Sequence, residues 1–412
     1  MGEPLVVIGN GMAAARFVDE LSTRALGRYA VAVIGEEPRL AYNRVLLSSV
    51  LAGEVASSEI ELKPTQWWRD RGITLRYGCR ATAVDTAART VTLATGQSLS
   101  FSKLVFATGS QPIRPPIPGM ALPGVITFRD VNDIWAMWHR AGTDDRVVVI
   151  GGGLLGLEAA YGLAKAGARV TVLHLMDRLM ERQLDPQAAR MLQRAVEQMG
   201  IEVILEADTA EISGTSHVDG VVLKDGRRIE ANAVVVAIGI RPNAELARAA
   251  GITVKRGIVV DDTLATNVPG IYAIGECAEH RGNVYGLVEP AYEQARVLAD
   301  CLAERSAHYA GSVLATNLKV SGVNLFSAGD FLGSPGTEEI VLSDPGLAIY
   351  KKLVIADGRL TGAVLFGDTA DGLWYLDLIR SGANIENIRD DLAFGRALAE
   401  RATPSAEARL AA

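Results

Sequence analysis

Cysteine is scarce in this sequence of 412 residues: Cys79, Cys277 and Cys301 are the three present. Four thiolates at close spacing are needed to ligate an iron-sulfur centre, so this segment cannot supply one. No C-x-x-C or C-x4-C pair occurs either, which excludes a redox-active disulfide of the glutathione-reductase type. Cys277 reads as a small apolar packing residue. The five histidines, His139, His174, His217, His280 and His308, lie too far apart for ligand spacing; no metal site is expected and each reads as a surface or capping residue. No apolar run reaches the roughly 18 residues needed to span a bilayer. Charge of neither sign dominates: the net charge is −7 with acids and bases interspersed, leaving no basic stripe for nucleic acid. The opening Leu5-Val6-Val7-Ile8 has no basic segment before it, so it reads as a strand rather than a signal peptide. A cytoplasmic protein without membrane or nucleic-acid partners is the expectation, long enough for two or three domains.

Against these absences stands a glycine motif that occurs twice. Val6-Val7-Ile8-Gly9-Asn10-Gly11-Met12-Ala13-Ala14 opens the chain, and Val148-Val149-Ile150-Gly151-Gly152-Gly153-Leu154-Leu155-Gly156-Leu157-Glu158 stands in its middle. In each, a β-branched run reads as a buried parallel strand that turns sharply into a helix. The first glycine makes the turn, the second admits a pyrophosphate to the backbone, and the third position, Ala14 or Gly156, packs the helix close to the strand. Pyrophosphate then meets the free N–H groups of the helix N-terminus. Each motif is followed by a second apolar strand ending in glycine, Leu104-Val105-Phe106-Ala107-Thr108-Gly109 and Val234-Val235-Val236-Ala237-Ile238-Gly239. Two related nucleotide-binding units in tandem, one inserted within the other, are implied. A further strand, Gly270-Ile271-Tyr272-Ala273-Ile274-Gly275-Glu276, has no counterpart in the second unit.

That last segment resembles the final FAD fingerprint of the two-dinucleotide-domain flavoproteins, with Glu276 where an Asp is more usual. The resemblance implies FAD in the first unit and NADH or NADPH in the second. Ala41-Tyr42-Asn43-Arg44-Val45-Leu46-Leu47-Ser48-Ser49 is similar to the flavin-proximal segment of the ferredoxin-reductase-like branch, except that Ser49 stands where many members carry a Lys facing Glu158. The two serines resemble the flavin module of the assimilatory NAD(P)H nitrite reductase large subunit. So do Met180-Glu181-Arg182-Gln183-Leu184-Asp185, Ile274-Gly275-Glu276-Cys277-Ala278, Tyr285-Gly286-Leu287-Val288 and Gly362-Ala363-Val364-Leu365-Phe366-Gly367-Asp368-Thr369. Similarity extends from about residue 5 to about residue 390.

The site residues follow by resemblance. On the FAD side they are Gly9, Gly11, Met12, Ala13, Ala14, Arg44, Ser48, Ala81 at the adenine, Ala107, Thr108 and Gly109 by their backbone, Arg129, Gly275, Glu276 and Glu289. Glu36, some twenty residues past Ala14, is placed to accept the adenosine ribose hydroxyls, with Glu37 beside it. On the nicotinamide side are Gly151, Gly153, Leu154, Leu155, Gly156, Glu158, Ile238, Gly239 and His174, which ends the strand Arg169-Val170-Thr171-Val172-Leu173 where an acid is usual. A neutral His does not repel a 2′-phosphate as a carboxylate does, though no Arg follows directly; NADH is favoured. Glu158, Arg44 and Ser48 are the candidates beside the reacting rings.

The expected fold is α/β, with two Rossmann-like dinucleotide-binding domains and a smaller C-terminal α+β interface domain. The FAD domain would be discontinuous, 1–115 and 244–311, with the NAD(P)H domain at 116–243 between the joints Pro112-Ile113-Arg114-Pro115-Pro116-Ile117-Pro118-Gly119 and Arg241-Pro242-Asn243. Helical spacing of apolar residues predicts helices at 13–26, 154–166, 186–199 and 290–305. The region 312–412 carries a hairpin turning at Asp357-Gly358 and a frayed or weakly helical tail from Ala397, and by resemblance covers the flavin and mediates a homodimer. Trp67-Trp68 and Trp374-Tyr375 read as core or interface packing.

The expected activity is that of an FAD-dependent NAD(P)H oxidoreductase passing single electrons to a separate iron-sulfur, sirohaem or molybdenum protein of nitrite or nitrate assimilation. Ending at Ala412 without sirohaem or iron-sulfur modules, the chain is not expected to reduce nitrite itself. A rubredoxin or ferredoxin reductase serving an oxygenase is the first alternative. Oxidase or peroxidase chemistry would want a cysteine near Arg44, where none stands, and a flavin-binding sensor without turnover is the remaining reading.

Overall fold

The computed structural model describes residues 2–140, 142, 145–320 and 322–400. Its backbone divides into two compact units. The first comprises 1–113, 129–131 and 239–312; the second comprises 114–128, 132–238 and 313–412. The C-terminal segment thus groups with the inserted unit, while forming its own sheet.

The first unit is built on five parallel strands in the spatial order Ile271–Ala273, Lys103–Phe106, Glu3–Ile8, Tyr29–Ile34 and Thr74–Arg76. Strands buried on both faces read as continuous β-branched runs, and Leu5, Val7, Leu104, Val105 and Phe106 are fully buried. The helix Met12–Arg24 turns Ala14, Ala15, Phe17, Val18 and Leu21 inward. Each buried side chain of the size of Phe17 or Leu104 contributes roughly 1.5–3 kcal/mol. A three-stranded antiparallel sheet, Ala81–Asp85, Thr90–Leu93 and Ser98–Ser100, interrupts the crossover before Lys103.

The second unit repeats this plan: parallel strands Val125–Thr127, Ala233–Val236, Arg146–Ile150, Arg169–Leu173 and Glu202–Ile204 lie in the matching order. A second antiparallel insert, Thr209–Gly214, Val218–Leu223 and Arg228–Glu230, occupies the equivalent place. One sequence expectation is corrected here. Ile271–Ala273 does have a counterpart, the edge strand Val125–Thr127, but the chain makes it before the core strands rather than after them. A parallel edge position needs only a neighbour with the right direction and register, so either end of the segment can fill it.

The helices expected at 13–26, 154–166, 186–199 and 290–305 are found at Met12–Arg24, Leu154–Lys165, Pro186–Gln198 and Val288–Leu302. The C-terminal sheet is antiparallel, in the order Ala315–Val320, Val323–Gly329, Arg359–Phe366, Ile349–Ala356 and Glu338–Asp344. Its central hairpin pairs Ala356 with Arg359 around the two-residue turn Asp357-Gly358. Trp68 and Tyr375 are buried, while Trp67 and Trp374 pack partly buried against the same cores. Of the expected tail, Arg396–Ala399 is a short helix, and residues 401–412 lie outside the described residues. Among the described residues no helix is long and apolar enough to cross a membrane.

Candidate functional site

Because the strands of the first sheet are parallel, their C-terminal ends share one edge, and each contributes a turn there. Gly9 follows Ile8 with φ +118°, and a Cβ on it would lie 2.0 Å from the Ala107 carbonyl oxygen, so only glycine closes this turn. Gly11 is the N-cap of the helix Met12–Arg24; no side chain caps that helix, and a Cβ on Gly11 would meet nothing within 4 Å. Open space above uncapped N–H groups is what a pyrophosphate requires. Met12, Ala13 and Ala14 line the start of this helix, and Gly275, after the edge strand, closes on it: a Cβ there would lie 2.9 Å from the Ala13 Cβ. The Gly275 N–H is held by the buried Gln294 Oε1 at 2.7 Å.

Glu276 is the centre of a polar cluster. Its Oε2 accepts a hydrogen bond from Ser110 Oγ at 2.8 Å and an ion pair from Arg129. The Gly109 Cα faces both groups, since a Cβ there would lie 3.9 Å from Arg129 Nη2 and from Glu276 Oε2. The Thr108-Gly109 turn is locked by Asn243, whose Nδ2 donates to the Thr108 carbonyl at 3.0 Å and whose N–H donates to the Gly109 carbonyl at 2.9 Å. Arg44 donates to the Arg129 carbonyl at 3.0 Å and pairs with Glu37, whose other oxygen accepts the Tyr42 hydroxyl at 2.7 Å. Burial works against the Arg44 charge, but Tyr42 and Glu37 outweigh it and hold the guanidinium above its ordinary pKa. Burial likewise pushes the Tyr42 phenol up. Glu37 is therefore committed to Arg44 and Tyr42, whereas Glu36, at the end of the strand Tyr29–Ile34, is exposed and 3.9 Å from Arg80. Ser48 is half-buried in the short helix Leu47–Leu51, Ala81 begins an antiparallel strand, Ala107 is buried, and Glu289 lies exposed in the first turn of Val288–Leu302.

The second unit repeats the turn. Gly151 has φ +122°, Gly153 is an N-cap without a capping side chain and with open space at its Cα, and a Cβ on Gly156 would stand 1.8 Å from the Gly151 carbonyl oxygen. Helix and strand touch there, which leaves no room for a methyl group. Leu154, Leu155 and Glu158 are half-buried on the helix, and Ile238 is 40% exposed beyond the strand Ala233–Val236. Gly239 belongs to the first unit and has φ +121°.

Two histidines depart from expectation. His174 and His280 are buried, not surface or capping residues. His280 Nε2 lies 2.9 Å from Asp262, and His174 is hydrogen-bonded at both ring nitrogens, to the Gly152 N–H and to Glu181. His174 follows the strand Arg169–Leu173 and His280 ends the strand Ala278–His280; in each case a carboxylate, Glu181 or Asp262, supplies the polar partner that burial demands. Cys277 is fully buried, its thiol donating to the Phe106 and Ile274 carbonyls, and burial pushes its pKa up. Sequence reasoning missed Ser110, Tyr42, Asn243 and Glu181 as parts of the site. Asn243 carried a signal, as it stands at the return joint after Arg241-Pro242; the others are joined only by folding.

Two glycine turns, each opening on an uncapped helix at a parallel sheet edge, define a two-dinucleotide oxidoreductase of the flavoprotein class. The residues in the first unit fit FAD: Gly11 opens on free space at an uncapped helix start, where a pyrophosphate would sit, and Glu36 stands exposed just past the second strand, where a ribose would meet it. Comparison with known proteins agrees. Residues 3–295 match the model of the pyridine nucleotide-disulphide oxidoreductase family, and residues 315–383 match that of the rubredoxin NAD+ reductase C-terminal domain. The chain is 46% identical over 382 residues to a nitrite reductase [NAD(P)H] of Bacillus subtilis (strain 168), covering 92% of this chain and 48% of that protein. It is 43% identical over 374 residues to the assimilatory nitrate reductase electron transfer subunit of the same organism, covering 90% and 48%. The chain thus spans about half the length of these relatives. Among solved structures, a ferredoxin reductase from Rhodopseudomonas palustris superposes with a TM-score of 0.84 at 27% identity, over 93% of this chain and 98% of that one. The chain belongs to the pyridine nucleotide-disulphide oxidoreductase family and is an NAD(P)H-dependent oxidoreductase that uses FAD.

Proposed function

We propose that this protein takes a hydride from NAD(P)H, NADH by preference, onto FAD and delivers single electrons to a separate redox metalloprotein of nitrite or nitrate assimilation. Bound FAD would supply the conversion of a two-electron donor into one-electron deliveries. The observation that carries an external acceptor is the thiol inventory. The segment around Arg44 has no cysteine, and Cys277, the cysteine nearest the Glu276 cluster in sequence, is fully buried, which pushes its pKa up. Cys79, Cys277 and Cys301 all stand as free thiols, so in this reading the electrons leave the flavin directly. The identity to the nitrite reductase and to the nitrate reductase electron transfer subunit supports an iron-sulfur, sirohaem or molybdenum acceptor.

In this reading the FAD-binding domain is 1–115 with 244–311, the NAD(P)H-binding domain is 116–243, and 312–412 is an interface domain that forms a homodimer, checked by light scattering. Arg44 and Ser48 orient the flavin, with Arg44 preset by Glu37 and Tyr42. Glu158 orients the nicotinamide carboxamide. Holding both dinucleotides makes the transfer effectively unimolecular. The site works in the cytoplasm, where NADH is supplied. Anaerobic stopped-flow mixing with NADH and then with ferricyanide tests the reading: fast bleaching followed by reoxidation is expected, and a bound flavin that NADH leaves oxidised overturns it.

A second reading, a rubredoxin or ferredoxin reductase, is favoured by the match of residues 315–383 to the rubredoxin NAD+ reductase C-terminal domain. Faster reoxidation of the reduced enzyme by rubredoxin or a small ferredoxin than by a nitrite or nitrate reductase catalytic module would select it.

A further inference from the structure

A Rossmann-type unit reads the adenosine ribose with a carboxylate at the end of its second strand, and that carboxylate also repels a 2′-phosphate. In the second unit the second strand, Arg169–Leu173, ends at His174, which carries no such charge. The ring is not free to take the role itself. Gly152 N–H donates to Nδ1 at 3.0 Å, so the ring proton sits on Nε2, and Nε2 donates to Glu181 Oε2 at 3.1 Å. The imidazole packs directly beneath the glycine turn: a Cβ on Gly152 would lie 2.7 Å from His174 Cγ.

The loop after the strand is fastened to the same turn. Met180 is fully buried with φ +50°, and its N–H donates to the Gly152 carbonyl at 3.0 Å. The N–H groups of Gln183 and Leu184 both return to the Met180 carbonyl. Both backbone groups of Gly152 are thus spent on holding a ring and a loop, and what that arrangement positions is the residue next to Met180, the half-buried Glu181. The neighbouring cations are differently disposed. Arg178 pairs with Asp177 at 2.9 Å, and Arg182 is 85% exposed, 3.6 Å from Glu181 Oε1. The ordered charge beside the glycine turn is negative.

We propose that Glu181, held beside the glycine turn by His174 and Met180, reads the adenosine ribose in place of the missing strand-end acid and selects NADH over NADPH. His174 is a positioning residue: it fixes the carboxylate through its ring. Two ribose hydroxyls donate to the carboxylate, whereas a 2′-phosphate brings a like charge against it. The inference rests on the reading of the second unit as the NAD(P)H site.

The test separates binding from turnover. Flavin-loaded protein is titrated calorimetrically with ADP-ribose and with its 2′-phosphate, and kcat and KM of flavin reduction are measured for NADH and NADPH. Wild type is expected to bind ADP-ribose at least tenfold tighter than the 2′-phosphate. Glu181→Gln keeps an acceptor for His174 Nε2 and removes the charge; it should cut that preference at least fivefold through tighter binding of the 2′-phosphate, and its effect on NADH should fall on KM more than on kcat. Glu181→Ser serves if the glutamine variant is unstable, and Arg182→Gln should leave the wild-type preference in place. A wild type that prefers the 2′-phosphate, or an unchanged ratio in the Glu181 variants, overturns the inference while the oxidoreductase reading stands. Failure of the wild type to bind either probe, with no bleaching by either nucleotide, overturns both.

Discussion

Tyr350, on the strand Ile349–Ala356, donates its hydroxyl to Asp185 Oδ2 at 2.8 Å, and both residues are buried. The other oxygen of Asp185 caps the helix Pro186–Gln198 by accepting the Ala188 N–H. One carboxylate therefore starts a helix and ties the C-terminal sheet to it. Burial, reinforced by Asp185, pushes the Tyr350 phenol up, so it stays a donor throughout the neutral and mildly alkaline range. Tyr350→Phe should cost about 2 kcal/mol, the worth of a hydrogen bond to a charged group. Asp185→Ala removes the cap as well and strands the buried hydroxyl, and should cost about 3 kcal/mol. Urea unfolding of the two variants measures the difference.

Gly156→Ala places a methyl group 1.8 Å from the Gly151 carbonyl. The helix Leu154–Lys165 must shift away from its strand, at a cost of about 1–3 kcal/mol typical of overpacking. Since the displaced turn is that of the second unit, kcat/KM for NADH should fall at least tenfold while the FAD content of the purified protein is unchanged. Absorbance of the flavin and steady-state ferricyanide reduction report the two quantities.

Glu276→Ala deletes the carboxylate that gathers Ser110 and Arg129. The FAD-to-protein ratio of the isolated variant should drop below half of wild type and recover only in part on adding FAD. Glu276→Asp, which keeps the charge and is the more usual residue in the resembling family, should retain FAD. Equal FAD content in all three proteins would remove Glu276 from the cofactor site.

The buried Cys277 thiol, pushed up in pKa by burial, should resist alkylation by iodoacetamide at pH 7.5 in the folded protein and react on unfolding. Peptide mass spectrometry assigns the labelled cysteine. Labelling of Cys277 at the rate of a free thiol would contradict the placement of the strand end beside it.

Asp262 accepts a bidentate pair from Arg281 and faces His280, and the Arg281 hydrogen bond leads in depressing its pKa to about 2. A depressed carboxylate pKa means the stabilisation is fully present above the unfolded value near 3.8 and is lost as the pH falls from there toward 2. Carbon-13 NMR titration of the Asp262 carboxyl should give a midpoint near 2, moving upward in Arg281→Ala.

Much of this was legible in the residues themselves. The duplicated glycine turns, the buried runs Leu104–Phe106 and Val234–Val236, and the Asp357-Gly358 hairpin are local signals, written in side-chain branching, period and turn chemistry, and the structure has them. The four long helices were legible to within two or three residues at each end for the same reason. Glu181 was not, because its role depends on a loop that folds back onto Gly152, and nothing in Met180-Glu181-Arg182 taken alone says which way the loop turns. Burial of His174 and His280 was hidden likewise, since each depends on a partner, Glu181 or Asp262, seven and eighteen positions away.

By itself the sequence determined that two nucleotide turns exist, that their first and third positions must be small, and that no closely spaced thiol pair is present, because these depend on the size and chemistry of residues near one another along the chain. Tertiary structure decided what completes each sheet and each site. Ile271–Ala273 and Val125–Thr127 fill equivalent edges from opposite ends of their segments. Glu276 meets Ser110 and Arg129 across 166 and 147 positions. Such meetings follow from parallel pairing, which delivers strand ends from remote parts of the chain to one edge, and short-range pattern carries no record of that delivery.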